Sequence, residues 1–275
     1  MCNELGYYFL ENALVNYLDL FTAIEIEINH ACNRRCVYCP NSILSRKNTG
    51  EMDPALFGKI ISELSEISYS GRVSFHFYNE PLLHSDLEGV VQMTRRNLPL
   101  ASIEVYSNGT LMTYDKFQAL LNSGVDQFII TRHKNEKKYI FQEIYDSLTE
   151  LEKEKVDFRG FEQIRLTNRG GLIPTLKKTH LIHTPCQIPW LVLVVTLDGN
   201  VLPCFEDYEE KLVMGNIRNQ KLMDIWRTPR YHSFRNELKV GFRSRYKPCA
   251  SCDRIEVLPI QKKCTTPNYV SDRRT

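Results

Sequence analysis

The chain has 275 residues and a formal net charge of +2, with 43% hydrophobic and 25% charged residues. That is enough for one large or two small domains with a substantial core, and the balance is that of an ordinary globular protein. The near-neutral charge gives no footing for nucleic acid or membrane as a partner. No apolar run is long enough to span a bilayer, the longest, near Ile188–Val195, being interrupted by Pro189.

Residues 1–23 read as an amphipathic helical extension with Leu5, Phe9, Leu10, Leu14, Leu18 and Phe21 on its packing face. Glu4 and Glu11 make it a poor export signal, so the nine cysteines point to metal binding in a reducing cytoplasm and not to disulfides. From Ile24 strand and helix patterns alternate. Strand one is Ile24–Asn29, and helix one opens on Asp53-Pro54 with a stripe of Leu56, Ile60, Ile61, Leu64 and Ile67. Strand two is Arg72–Tyr78, helix two runs near Asp86–Leu98, strand three is Ser102–Tyr106, and helix three is Thr113–Asn122, closed by Gly124. Strand four is Gln127–Thr131, helix four Tyr139–Glu152, and strand five Gln163–Thr167. Repeated βα units imply a parallel sheet, and five strands make a truncated partial barrel, open on one side, over residues 24–171.

Residues 172–185 form a linker. Beyond it, Leu191–Leu197 and Val201–Cys204 flank Asp198-Gly199-Asn200, a strong hairpin signal, and helices follow near Leu222–Trp226 and Tyr231–Leu238. The fold class is therefore α/β: a truncated (β/α) barrel, then a small hairpin–helix domain over 186–252, then a polar tail, 253–275, expected to be mobile.

In parallel barrels chemistry gathers at the C-terminal ends of the strands. Each strand here ends in a polar cluster: Tyr78-Asn79-Glu80-Pro81, Tyr106-Ser107-Asn108-Gly109, Thr131-Arg132-His133 and Thr167-Asn168-Arg169-Gly170-Gly171. All of them should face the loop after strand one, where Cys32, Cys36 and Cys39 form a C-x3-C-x2-C triplet. Three thiolates cannot complete a tetrahedral zinc site, and they ligate three irons of a [4Fe-4S] cube, leaving the fourth open to a small molecule. The other readings are zinc with a borrowed ligand such as His30, or buried structural thiols. Cys186, Cys204, Cys249 and Cys252 make a second, four-thiol set that suits either zinc or iron–sulfur. Cys2 and Cys264 are left over.

The triplet, with aromatic Tyr38 before its third cysteine, resembles the radical S-adenosylmethionine (SAM) superfamily. The second set, behind such a core, resembles the shortened SPASM or "twitch" module with one auxiliary [4Fe-4S] cluster. Further stretches resemble the radical SAM aminocyclitol dehydrogenases of the 2-deoxy-scyllo-inosamine type: Gly50–Leu56, Ser74–Tyr78, Asn168–Gly171, Gly199–Asp207 and Met214–Ile217. The resemblance implies a SAM-dependent oxidoreductase of antibiotic-type metabolism with two [4Fe-4S] clusters. A 5′-deoxyadenosyl radical would take hydrogen from the carbon of a secondary alcohol on a small polar cyclitol or sugar. The auxiliary cluster would accept the electron, and a flavodoxin- or ferredoxin-type protein would reduce the first cluster.

By motif, Glu80 would bind the SAM amino group, with Tyr78, Asn79, Tyr106, Asn108, Tyr38 and Arg132 lining that site and His133 a weaker candidate. Arg169 would contact the reacting hydroxyl, and Phe205 and Glu206 would touch substrate. The remaining acids of the run Glu206, Asp207, Glu209 and Glu210 read as solvated face. The family carries glycine where Asn79 stands, and asparagine tolerates unusual dihedrals better than most residues. Related chemistries are dehydration of a diol and peptide modification; a zinc-stapled binding protein is a reading of another class.

Overall fold

The computed structural model describes residues 20–45, 48–133, 139–173 and 184–254. The expected N-terminal helix, most of the linker and the tail after Arg254 lie outside the described residues. Eight strands form one sheet: β1 Ala23–Ile26, β2 Arg72–Ser74, β3 Ser102–Ser107, β4 Gln127–Thr131, β5 Val156–Arg159, β6 Val192–Val195, β7 Asn200–Leu202 and β8 Gly215–Asn216. Their order is β5-β4-β3-β2-β1-β6-β7-β8. β1 to β5 pair parallel in succession, and β6 returns to the other side of β1, also parallel, with Ala23 opposite Val192 and Ile26 opposite Val195. β7 and β8 extend the sheet antiparallel. The result is the truncated barrel the pattern implies, except that the hairpin of the second half is continuous with the barrel sheet.

Helices pack between and beyond the strands: α1 Pro54–Glu66, α2 Leu87–Asn97, α3 Tyr114–Ser123, α4 Ile140–Ser147 and α5 Glu150–Lys153, then α6 Ile188–Leu191, α7 Leu222–Trp226, α8 Pro229–Lys239 and α9 Lys247–Ser251. α1 starts where its sequence dictates: Asp53 Oδ1 accepts from Ala55 N at 2.9 Å and Pro54 occupies the first turn. The hairpin turns on Gly199, whose φ of +86° a side chain would resist.

Two expected elements are corrected. Helix four is broken after Ser147, because Thr149 and Glu152 form a reciprocal capping box that starts a new turn. Strand five is Val156–Arg159, not Gln163–Thr167. It pairs along β4 with Phe128 opposite Val156, whereas residues 164–168 belong to no strand. A four-residue edge strand carrying an Asp157–Arg159 ion pair has too little apolar periodicity to announce itself.

Alternation along the strands divides two environments. Ile24, Ile26, Val73, Phe75, Ile103, Val105, Phe128, Ile130, Leu193 and Val195 join the helices in one buried core. The opposite, inner face is polar: Arg72 donates to Glu25 at 3.1 Å and to the Tyr106 hydroxyl at 3.2 Å, and Tyr106 donates to Glu104 at 2.8 Å. In the second half, the buried Arg235 of α8 lies 3.9 Å from the Trp226 ring, 4.5 Å from Tyr231 and 5.0 Å from Trp190, and so ties α6, α7 and α8 together. No helix among the described residues is long and apolar enough to cross a membrane.

Candidate active site

The loop after β1 is held from three strand ends at once. From β2, the Tyr78 carbonyl accepts from Asn41 Nδ2 at 2.7 Å. From β3, Asn108 Nδ2 donates to Asn33 Oδ1 at 2.8 Å, and Asn33 donates to Thr110 at 2.7 Å. From β4, His133 Nδ1 meets the Tyr38 hydroxyl at 2.5 Å. Inside the loop Cys39 N bonds Cys36 O at 2.9 Å and Ser42 Oγ bonds Cys36 O at 2.6 Å, which folds the triplet into a tight turn. Tyr38 thus anchors the loop through its hydroxyl, a physical reason for an aromatic before the third cysteine. Asn33 and Thr110 carry no periodic or motif signal and were not among the expected site residues.

His30 is engaged elsewhere: its Nδ1 accepts from Gly50 N at 2.7 Å. The donor set at this loop is therefore three thiols, which fits a cube with one open iron better than a zinc tetrahedron. Burial pushes the Cys32 thiol up to about 11. Burial also raises Cys39, against the Asn41 amide and Arg169, which pull the other way.

Glu80 is 2% exposed. Its Oε1 accepts from Ser107 Oγ at 2.7 Å and Leu82 N at 3.1 Å, and its Oε2 from Asn108 N at 2.8 Å. The carboxylate clamps β2 to β3, and Oε2 retains acceptor capacity for one further donor. Asn79 does not sit in the left-handed region. Its side chain instead accepts from Phe77 N at 2.8 Å and donates to Phe75 O at 3.2 Å and to Asn29. Asparagine is therefore accommodated there not through unusual dihedrals, as expected, but because its side chain locks the loop. Gly109 is required as glycine, since its φ is +68° and a Cβ would come within 2.5 Å of the Tyr139 hydroxyl.

Tyr106 turns its hydroxyl to Arg72 and Glu104, and its ring stacks on His76 at 4.2 Å. Arg132 stands at the rim, 5.8 Å from the Tyr139 ring. The missed residue here is His76, whose buried Nδ1 has no hydrogen-bond partner. Burial lowers its pKa to about 4; Glu25 opposes the shift and Arg72 and Arg169 reinforce it. A depressed histidine contributes stability above its unfolded value of about 6.5 that is lost as pH falls through the folded value. Stability should thus decline from pH about 6.5 to about 4, and His76→Phe should flatten that slope in denaturation midpoints measured across the range. An unchanged slope would remove His76 as its source.

The other wall comes from the second half. Cys186, Cys204, Cys249 and Cys252 line one pocket, with Arg243 and Arg254 beside them. Cys186 precedes α6 and is pinned to α8 by its amide, 2.9 Å from Leu238 O. Cys204 follows β7, and Cys249 and Cys252 flank the end of α9. Among the described residues no three His, Cys, Asp or Glu side chains converge on a single-ion site. Four thiols around one pocket are a ligand set that a [4Fe-4S] cluster or a zinc ion can take.

Between the two thiol sets lie Tyr78, Arg169 and Glu206. Tyr78 donates from its hydroxyl to Phe205 O at 2.8 Å, and the Arg169 guanidinium lies 5.6 Å from the Tyr78 ring. Glu206, 3% exposed, accepts from Thr167 at 3.0 and 3.2 Å and from Arg254 at 2.9 Å, with Arg169 Nη1 at 3.8 Å. Arg169 has φ +51° and a buried Nε with no partner. It reaches this position from the loop after Gln163, not from a strand end.

Arg254 stacks on Phe205 at 4.3 Å, and Asp253 accepts from Asn168 N at 2.9 Å. The expected tail from Asp253 is thereby corrected: its first two residues complete the site, tied to partners far away in sequence. Asp207 is likewise not solvated face; it is 2% exposed and accepts from Lys211 N and Leu212 N at 2.9 and 2.7 Å.

Comparison with known proteins agrees with this geometry. The radical SAM superfamily model matches residues 26–154, and the SPASM model, an iron–sulfur cluster-binding domain, matches residues 186–253. The S-adenosyl-L-methionine-dependent 2-deoxy-scyllo-inosamine dehydrogenase of Niallia circulans is 43% identical over 238 residues, covering 86% of this chain and 95% of that one. The crystal structure of BtrN in complex with AdoMet and 2-DOIA superposes with a TM-score of 0.82 at 43% identity, covering 86% and 94% of the two chains. An open conformation of BtrN gives 0.70 at 38% identity, covering 86% and 93%. A PqqA peptide cyclase of Methylocella silvestris is 22% identical over 314 residues, covering 84% of this chain and 79% of that one. With a three-thiol loop at the strand ends, a four-thiol module behind it and this likeness over most of its length, the chain belongs to the radical SAM superfamily, among the SAM-dependent dehydrogenases that carry a SPASM-type iron–sulfur module and bind SAM and [4Fe-4S] clusters.

Proposed function

We propose that this enzyme oxidises a secondary ring hydroxyl of an aminocyclitol, of the 2-deoxy-scyllo-inosamine kind, to a ketone. The observation that carries the reading is the placement of Arg169 and Glu206: a half-buried cation on the Cys39 side and a buried carboxylate on the Cys204 side, 3.8 Å apart. Cys32, Cys36 and Cys39 would hold the cluster that binds SAM, and Cys186, Cys204, Cys249 and Cys252 the auxiliary one. Bound there, SAM with the first cluster supplies a hydrogen-abstracting radical, and the second cluster an electron acceptor.

The alcohol loses one hydrogen atom from carbon, one proton from oxygen and one electron. Arg169 would present its guanidinium charge to the hydroxyl oxygen and stabilise it as the proton leaves. Arginine is too weak an acid to act as the base, so Glu206, paired to it, is the proton acceptor. Tyr78 and Phe205 close the space between the two halves and keep water from the carbon radical. Glu80, Asn79, Asn108, Tyr106, Tyr38 and Arg132 shape the SAM side, Glu80 chiefly by fixing the strand ends.

In this reading residues 24–171 form the barrel unit, 186–252 with Asp253 and Arg254 the cluster module, and 172–185 the linker. An electron carrier of the flavodoxin or ferredoxin type reduces the first cluster, and cysteines committed to clusters and not to disulfides fit a reducing cytoplasm.

The test is iron and sulfide content after anaerobic reconstitution, followed by assay with aminocyclitols. Wild type should hold about eight irons and the Cys32/Cys36/Cys39→Ala variant about four. Wild type alone should form a ketone together with cleaved SAM. Four irons in wild type, all lost in the variant, would remove the electron acceptor and with it the dehydrogenase reading.

A further inference from the structure

We propose that Arg243 sets the reduction potential of the centre held by Cys186, Cys204, Cys249 and Cys252, raising it so that the centre takes up an electron readily. The inference rests on the preceding assignment of an auxiliary cluster to those thiols.

Arg243 is 1% exposed and lines the same pocket as the four thiols. Its hydrogen bonds all go to backbone carbonyls: Nε to Thr184 O at 2.6 Å, and Nη2 to Pro185 O at 3.2 Å and Arg254 O at 3.0 Å. Among the described residues no carboxylate forms an ion pair with it. The two carboxylates that line the pocket are committed elsewhere, Glu206 to Thr167 and Arg254, and Asp207 to the amides of Lys211 and Leu212. A full positive charge therefore lies uncompensated beside the thiols, in a region of low dielectric where it acts strongly.

Electron uptake makes a four-thiolate cluster more negative by one charge. A fixed cation beside it favours the reduced form over the oxidised one, since cluster potentials follow net charge, hydrogen bonding and solvent exposure. Glu206 and Asp207 act in the opposite sense, and Arg254 reinforces Arg243. The single electron is the one released when the substrate carbon radical, having lost its hydroxyl proton, becomes the ketone.

Arg243 also joins the chain entering Cys186 to the chain leaving Cys252, so a purely structural role has to be separated. The experiment uses the reconstituted Cys32/Cys36/Cys39→Ala protein, in which only the auxiliary centre reports. Arg243→Gln and Arg243→Lys are introduced into it, and iron content and midpoint potential are measured, the latter by redox titration monitored by electron paramagnetic resonance. The expected result is about four irons in all three proteins. For Gln, the reduced-to-oxidised ratio at fixed potential should fall at least about tenfold, which is about 59 mV for one electron. Lys should restore most of the shift. Four irons in the Gln variant with an unmoved potential would overturn the proposal. So would loss of iron in Gln and Lys alike, which would leave Arg243 a structural tie. No iron in the parent protein would overturn the auxiliary-cluster assignment itself, and the proposal with it.

Discussion

Arg169→Gln should lower kcat/KM for ketone formation by roughly a hundred- to a thousandfold while the protein keeps about eight irons. The size follows from what the substitution removes. The buried Nε of Arg169 has no protein partner, and its guanidinium is held by the Tyr78 ring on one side and Glu206 on the other. Against the cost of burial, Tyr78, Glu206 and Cys39 keep it ionised, so a full charge is poised where an oxygen loses its proton. Glutamine fills similar space and tolerates the same backbone but brings no charge. Lysine keeps the charge as a point and loses the planar fork, so Arg169→Lys should also fall well below wild type. Steady-state kinetics beside iron counts separate the outcomes. Wild-type turnover in Arg169→Gln would take this side chain out of the chemistry.

How legible this site was depends on how local its signals are. The triplet Cys32, Cys36 and Cys39 is spelled out in eight consecutive residues, and its position after a strand follows from the alternation of Ile24 to Ile28. The barrel order was readable because α1, α2 and α3 carry clean stripes and strong start signals, such as Asp53-Pro54 and Thr113. Val156–Arg159 was not, since only sheet pairing with β4 makes those four residues a strand. Displacing that strand moved Arg169 from a strand end to a loop without taking it from the site, because Asn168 is anchored through Asp253 and Ser251, not through the sheet. Asp253 and Arg254 looked like the start of a polar tail because their partners, Asn168 and Glu206, lie 85 and 48 residues away. The adjacency of two charged residues to Cys252 was the one hint available. The Asn33–Asn108–Thr110 contacts left none, since isolated polar loop residues have no periodicity.

Glu206→Gln should be the most disruptive single change in the second half of the chain, costing about 3 kcal/mol of stability and abolishing turnover. Glu206 is the shared anion of Thr167, Arg169 and Arg254, and it is buried. Removing its charge takes the shared anion away from both the Arg169 and Arg254 guanidinium groups, which costs more than the lost hydrogen bonds alone. The contrast is with Glu206→Gln combined with Arg254→Met, where one of the two cations that Glu206 faces is removed as well. The double variant should then be less destabilised than the sum of the singles, by about 1–2 kcal/mol, as read from denaturation midpoints of the reconstituted protein. Turnover should not return, because Arg169 would still lack its proton-accepting partner. Additive stabilities would mean that Arg254 is held by its stacking on Phe205 and its backbone contacts, and that the carboxylate serves Arg169 alone. Recovery of turnover in the double variant would move the proton acceptor away from Glu206 to another group in the site.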